Sequence, residues 1–525
     1  MKQKKWLIPV AAGAMLAMTS IVSAQTATIA VATTPSAMDP HFHTTPANYT
    51  ANIHVFQPLV MRDAASNPTV PVLAESWEIV DDETWEFKLR QGVTFHDGTP
   101  FTAEDVAFTF ERAPHVPNSP GSFGAYLKLV ESVEIVDPHT IRVKTDGPAP
   151  ELLSDLANIL IISKKHGEGA TTDDYNSGKA VIGTGPYKFV RWAQGDQVIY
   201  ERNPDYWGDP EPWERVVFRV IPNGAARVAA ILAGDVDLIS DIPTQDVERL
   251  RGSSSVATWS GPSSRVVFVA LNASAEALTK GSIVAPDGSA LSENPLADPR
   301  VREALKLAID LDVIRDRVNA GEAVTAGQYV SEGVFGYVPD VGPWQSDLDR
   351  ARQLMQESGW AGRFKVKLTT SSDRINNSVR MVQVIAQAWT RIGVETEVET
   401  MPFQVFSANR LDIPVSLSSW GNSTGSAVGV LGPALHTRDV EKGFGTSNYF
   451  AYSNPELDTL TERGLVTMDD AERERLYQDA TRIALADNAY IPLFLAMNNW
   501  ATRANLVYEP RIDAQTNALG LRMKE

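Results

Sequence analysis

The sequence predicts a mixed α/β protein of two lobes, one of them carrying a hairpin-rich insertion. Three observations predict it. The first third alternates apolar and polar residues in short runs parted by turn residues, as hairpins do. From about residue 215 the rhythm becomes strand, helix, strand, and it returns in the C-terminal half. The length of 525 residues also exceeds what one hydrophobic core supports and points to two to four domains.

The chain opens on export. Lys2, Lys4 and Lys5 form a positive start, residues 6–18 are almost unbroken apolar, and Val22-Ser23-Ala24 puts small residues at cleavage positions. That is the pattern of a cleavable secretory signal, with the mature chain starting at Gln25. A spanning helix needs about 20 apolar residues. This run is shorter and closes on Thr19, Ser20 and Ser23. Later apolar runs such as residues 159–162 suit buried strands or short core helices, so no membrane insertion is expected.

In Trp85-Glu86-Phe87-Lys88-Leu89-Arg90 apolar and charged residues alternate, which predicts a half-buried strand. His96-Asp97-Gly98 is a turn. Thr102 with Asp105 three residues on makes a capping box for a helix through Val106, Ala107 and Phe110. Val133 and Ile135 pair with Ile141 and Val143 across Asp137-Pro138. Tyr187 and Phe189 pair with Val198 and Tyr200 across Gln194-Gly195-Asp196. Residues 216–221 then read as a strand, 225–233 as a helix with Gly234 at its C-cap, and 236–239 as a strand. Asp298 and Pro299 begin a helix that places Val301, Ala304, Leu305, Ala308 and Ile309 on one face. Alternation at Phe364, Val366 and Leu368, a helical face from Val379 through Trp389, and alternation at Val394, Thr396 and Val398 repeat the unit.

Composition removes whole classes of function. With no cysteine, thiolate metal sites, iron–sulfur clusters, cysteine nucleophiles and a lipid-modified N-terminal cysteine are excluded. Losing Lys2, Lys4 and Lys5 takes the formal charge from −18 to about −21. Such a chain lacks the basic footprint that nucleic acid requires, and it does not favour anionic lipid.

Gly421-Asn422-Ser423-Thr424-Gly425 matches the G-x-S-x-G nucleophile elbow, which needs a strand before the serine and a helix after it. Residues 416–420 supply a strand, but glycines between 427 and 432 make a poor helix. A Gly/Ser-rich loop is the better reading, and a secreted serine hydrolase using Ser423 is the alternative function. His41 and His43 stand two apart, so an extended segment would point both the same way. A structural or pocket-lining role outweighs a metal site there, and no cofactor is expected.

Several segments together carry a resemblance. Phe95-His96-Asp97-Gly98-Thr99-Pro100-Phe101-Thr102-Ala103-Glu104-Asp105-Val106 resembles the signature stretch of the family 5 extracellular solute-binding proteins, the peptide, nickel and opine receptors of ABC importers. Leu73-Ala74-Glu75-Ser76-Trp77-Glu78, Gly183-Thr184-Gly185-Pro186-Tyr187 and Glu201-Arg202-Asn203-Pro204-Asp205-Tyr206-Trp207-Gly208 belong to the same pattern. So do Asp298-Pro299-Arg300-Val301-Arg302-Glu303-Ala304-Leu305 and Tyr490-Ile491-Pro492-Leu493-Phe494. The ordered set covers essentially the whole mature chain.

The resemblance implies a type II periplasmic binding protein-like fold of the large class and a non-enzymatic receptor. Lobe I would hold residues 25–58, 183–268 and 500–525, the insertion residues 59–182, and lobe II residues 269–499. The hinge would be two crossing strands near residues 266–268 and 495–497. A periplasmic monomer would capture a peptide-like, opine-like or other small solute and pass it to ABC importer permease subunits. Family positions imply ligand contacts at Trp420, Gly421 and Asn422, at Arg374 for a carboxylate, and at His43 for a ring with a polar edge. Dipeptide receptors carry acids just after the Trp-Gly element and nickel receptors a histidine there. Residues 421–437 contain no Asp or Glu and no His before His436, so a free peptide amino terminus and nickel are both disfavoured.

Overall fold

The structure, a computed structural model, describes residues 25–63, 68–422 and 424–525. The export signal read at residues 1–24 and the candidate nucleophile Ser423 lie outside them.

One 12-stranded mixed sheet runs through the molecule. It begins with the hairpin Tyr187–Ala193 and Gln197–Arg202, continues through Arg215–Val220, Thr26–Val31 and Leu238–Ser240, and reaches the long strand Tyr490–Arg503. This strand pairs antiparallel with the still longer Val256–Leu271. Beyond that pair lie Val415–Gly421, Lys365–Ser371 and Ile283–Val284, with Glu395–Met401 parallel to Lys365–Ser371. Two strands therefore carry the chain between two α/β halves. Two halves joined by one pair of long strands are the arrangement that the resemblance implies.

Capping explains several helix starts. Thr102 and Asp105 form the reciprocal capping box of Ala103–Arg112. Asp298 accepts from the Arg300 amide and Pro299 occupies the first turn of Pro299–Leu307. Gly224–Ala233 ends on Gly234 at φ 77°, a left-handed residue that costs glycine little.

The apolar residues gather into separate clusters. Leu59, Phe87, Phe101, Val106 and Ile161 belong to one, beneath a four-stranded antiparallel sheet built from Ala74–Asp81, Thr84–Leu89, Thr140–Thr145 and Val130–Asp137. Ile29, Phe56, Tyr200 and Trp500 belong to a second, and Leu305, Leu368, Trp389 and Leu417 to a third.

Two local expectations need correction. Thr84–Leu89 does not alternate burial cleanly. Glu86 is buried, because Lys88 Nζ at 2.6 Å and Arg142 Nε at 2.9 Å compensate its charge. His41 and His43 do not point the same way, although one is structural and the other lines a pocket. His41 is fully buried, its ring against Leu160 O at 2.8 Å and Arg112 Nη1 at 3.1 Å. Burial, and then the Arg112 charge, push its pKa down to about 4. His43 instead faces a cavity. Among the described residues no group of three or more His, Cys, Asp or Glu side chains is arranged to hold a metal.

Candidate functional site

Where the long strands cross, their register breaks. Pro262 pairs with Met497 and Val266 with Leu495, so residues 263–265 stand opposite the single residue Ala496. Such a bulge bends the strand and re-aims its side chains. Local bonds hold it. Ser263 Oγ accepts from the Arg265 amide at 3.1 Å, and the Ser264 amide donates to Ile512 O at 3.0 Å. The Asn422 amide in turn donates to Ser264 O at 2.9 Å, tying the loop after Val415–Gly421 to the bulge.

Three cavities meet at this bulge. One of about 490 Å³ takes in Asp241, Ser264, Arg265, Glu322, Arg374 and Asp513. A second of about 310 Å³ is lined by His43, Tyr49, Arg62, Ser264, Asn422 and Asp513. A third of about 250 Å³ includes Arg265, Arg374, Phe403, Arg410, Trp420 and Gly421. The bulge thus gives Ser264 to the first two and Arg265 to the first and third. Together they form a cleft with chemically different ends.

The third cavity is cationic. No Asp or Glu lines it, and among the described residues Arg265, Arg374 and Arg410 form no ion pair. The Arg374 and Arg410 guanidinium carbons each lie 5.3 Å from the Phe403 ring centre, and that of Arg410 lies 5.1 Å from Tyr449. Burial, reinforced by the Arg374 charge, lowers the Arg265 pKa to about 10. A Cβ on Gly421 would stand 3.1 Å from Arg265 Nη2, so glycine there leaves the guanidinium its space.

The family model for bacterial extracellular solute-binding proteins, family 5, matches residues 69–442. The chain belongs to that family. It is 27% identical over 507 residues to a glutathione-binding protein of Pectobacterium atrosepticum, covering 94% of this chain and 93% of that protein. It is 24% identical to the dipeptide-binding protein of Escherichia coli, with 90% of each chain covered. The solved structure of HbpA2 from Haemophilus parasuis superposes with a TM-score of 0.82 at 23% identity, covering 95% of this chain and all of that one. Family 5 proteins bind solutes and work with ABC permeases. Neither the family nor these relatives support the serine hydrolase alternative. The stretch after residue 423 also lacks the elbow's long helix, since only the short turns Val428–Val430 and Leu431–Leu435 follow.

For this family 5 protein the structure places all five sequence-read site residues on the cleft, in two groups. His43 and Asn422 line one cavity, and Arg374, Trp420 and Gly421 another. Two of them have polar groups already engaged within the protein. Trp420 spends its ring N–H on Gly429 O at 2.8 Å, leaving the ring face as what it offers. Asn422 is buried and its amide is used within its own loop, donating to Ser426 O and accepting from Thr424. Acids also reach the cleft from outside residues 421–437. Among the described residues the Asp241 carboxylate has no ion pair, its closest bond coming from Ser240 Oγ at 3.3 Å.

The sequence reading missed Arg265, Arg410 and Glu151. Glu151 meets Ser426 Oγ and Tyr477 Oη at 3.3 Å each and Arg473 Nε at 3.8 Å. Nearby, Ser154 Oγ donates to Thr424 O. These partners stand 275 and 326 positions away for Ser426 and Tyr477, beyond any local pattern. Arg265 carried a weak signal, as a lone cation directly before the apolar run of residues 266–271.

Proposed function

We propose that this chain is a periplasmic receptor that captures a small organic solute between its lobes and delivers it to the permease of an ABC importer. It acts as a freely diffusing monomer after removal of residues 1–24. The observation that carries the reading is the convergence of three cavities on the bulged crossing of Val256–Leu271 and Tyr490–Arg503. A strand pair with a three-against-one bulge bends there more readily than along its paired lengths. Rotation about it opens or closes every cavity at once.

In this reading residues 25–58, 183–268 and 500–525 move as one lobe with residues 59–182 attached, and residues 269–499 as the other. Separate apolar clusters on each side support rigid-body movement. Glu151 of the insertion, bound to Ser426, Tyr477 and Arg473 of the opposite lobe, is a contact that closure makes and opening breaks. His43 and the Trp420 ring contact the solute directly, Arg374 takes an acidic group, Gly421 keeps room for Arg265, and Asn422 shapes its loop. Asp241 offers a counter-charge for an ammonium, so the acid-free loop alone does not exclude a peptide.

The test is mass spectrometry of solute released by denaturing the purified mature protein, joined to uptake assays in cells lacking its gene. One bound compound whose uptake falls in those cells is expected. Purified protein that yields no compound, with uptake unchanged across a panel of peptides and organic acids, would sink the reading.

A further inference from the structure

Three guanidinium groups share one small cavity with no carboxylate among its lining residues. The chain as a whole has 65 acidic and 47 basic residues, so this local excess of positive charge runs against its composition. Bringing like charges together costs free energy unless a counter-charge arrives, more at the half-buried Arg265 and Arg410 than at the exposed Arg374. Two other arginines largely withdrawn from solvent have carboxylate partners. Arg112 is paired to the buried Asp39 at 2.7 Å, and Arg511 to Asp513 at 2.6 Å.

The three come from separate elements: Arg265 from the bulge of Val256–Leu271, Arg374 from the loop before Ser378–Thr390, and Arg410 from the turn Arg410–Asp412. Phe403 lies against both Arg374 and Arg410 and acts as a positioning residue for them. A guanidinium presents a planar fork of donors that fits carboxylate and phosphoryl oxygens two at a time. One carboxylate would neutralise one of the three cations and leave two uncompensated.

We propose that this cavity binds a solute group carrying at least two negative charges, a phosphoryl group or a pair of carboxylates, joined to an apolar body, with Arg265, Arg374 and Arg410 as its counter-charges. The inference rests on the receptor reading above and narrows it to a ligand class. Trp420 and Tyr449 supply apolar surface beside the cations. Because Arg265 sits on the crossing strand itself, neutralising it also removes a repulsion at the point where the lobes pivot.

The experiment titrates the full mature chain by calorimetry with four probes that share a benzene ring: phenyl phosphate, phthalate, benzoate and benzyl alcohol. Phenyl phosphate or phthalate is expected to bind at least about tenfold tighter than benzoate, with benzyl alcohol weakest. Which of the two dianions leads tells phosphoryl from dicarboxylate. Arg410→Gln and the double variant Arg374→Gln/Arg410→Gln are expected to abolish that preference. Arg410→Lys, which keeps the charge without the fork, is expected to retain part of it, and circular dichroism checks that each variant is folded. Benzoate binding as tightly as either dianion, no binding by any probe, or an unchanged preference in the folded double variant would each overturn the proposal. A released natural solute with one acidic group or none overturns it too, while leaving the receptor reading intact. Conversely, probes that bind as expected to a protein that carries and imports no solute would remove the receptor reading alone.

Discussion

Trp420 shows how one hydrogen bond changes what a residue can be asked to do. Its indole N–H is occupied by Gly429 O, so a ligand would meet only the face of the ring. Trp420→Phe is therefore expected to cost stability, about 1 kcal/mol for the lost bond by urea unfolding, while solute affinity changes little. Trp420→Ala is expected to weaken binding by about tenfold or more, since the face itself is gone. A Phe variant that lost affinity as severely as Ala would place the N–H, not the face, at the ligand. Asp155 makes a different prediction. Burial, and then the neighbouring Glu151, raise its pKa to about 7, against the opposing charge of Arg62; Tyr126 faces it from another turn. The folded protein thus keeps a proton that the unfolded chain gives up. This contribution to stability is complete below the unfolded pKa of about 3.9 and is lost as pH rises through about 7. Between about pH 5 and about pH 8 the melting temperature of the wild type should fall relative to that of Asp155→Asn. Parallel curves would show Asp155 to be solvated.

At the scale of elements, what was legible in the sequence and what was not divide along contact range. The capping box at Thr102 and Asp105, the Asp298-Pro299 helix start and the hairpin across Asp137-Pro138 all depend on neighbours a few residues apart, and all are present. Glu86 escaped the pattern because its partner Arg142 lies on another strand of the same sheet. The cleft was half legible. Trp420 and Arg374 stand in recognisable motif positions, whereas Arg265 and Arg410 look like ordinary polar residues until the sheet brings them together. Glu151 was beyond reach for the same reason. It begins the short helix Leu152–Leu156, and only the approach of Ser426 and Tyr477, distant in sequence, gives it meaning. Burial raises its pKa, so holding it there as an ion is costly unless Ser426, Tyr477 and Arg473 are in place. Glu151→Ala should favour the open form, seen as a larger radius of gyration by small-angle scattering and solute affinity weaker by about tenfold. Unchanged scattering and affinity would reduce these contacts to passive neighbours.

For the whole molecule, the formal charge of −18 and the local arginine pole act on an anionic solute with opposite sign and at different range. Far from the protein the net charge dominates and repels a dianion. Inside the acid-free third cavity Arg265, Arg374 and Arg410 are the nearest charges and attract it. Salt separates these effects, because the screening length is about 10 Å at 0.1 M and shortens further as salt rises. Long-range repulsion is screened first, while contacts in a half-buried cavity are screened much less. The association rate of phenyl phosphate, followed by stopped-flow tryptophan fluorescence, should therefore rise severalfold between about 10 mM and about 150 mM salt. Its dissociation rate should change less over the same range. The opposite sign, association slowing steadily with salt, would mean that the cleft's positive field extends beyond the negative surface and steers the solute inward. In that case the acidic surface would matter for solubility alone, and capture would be governed from first approach by the three arginines.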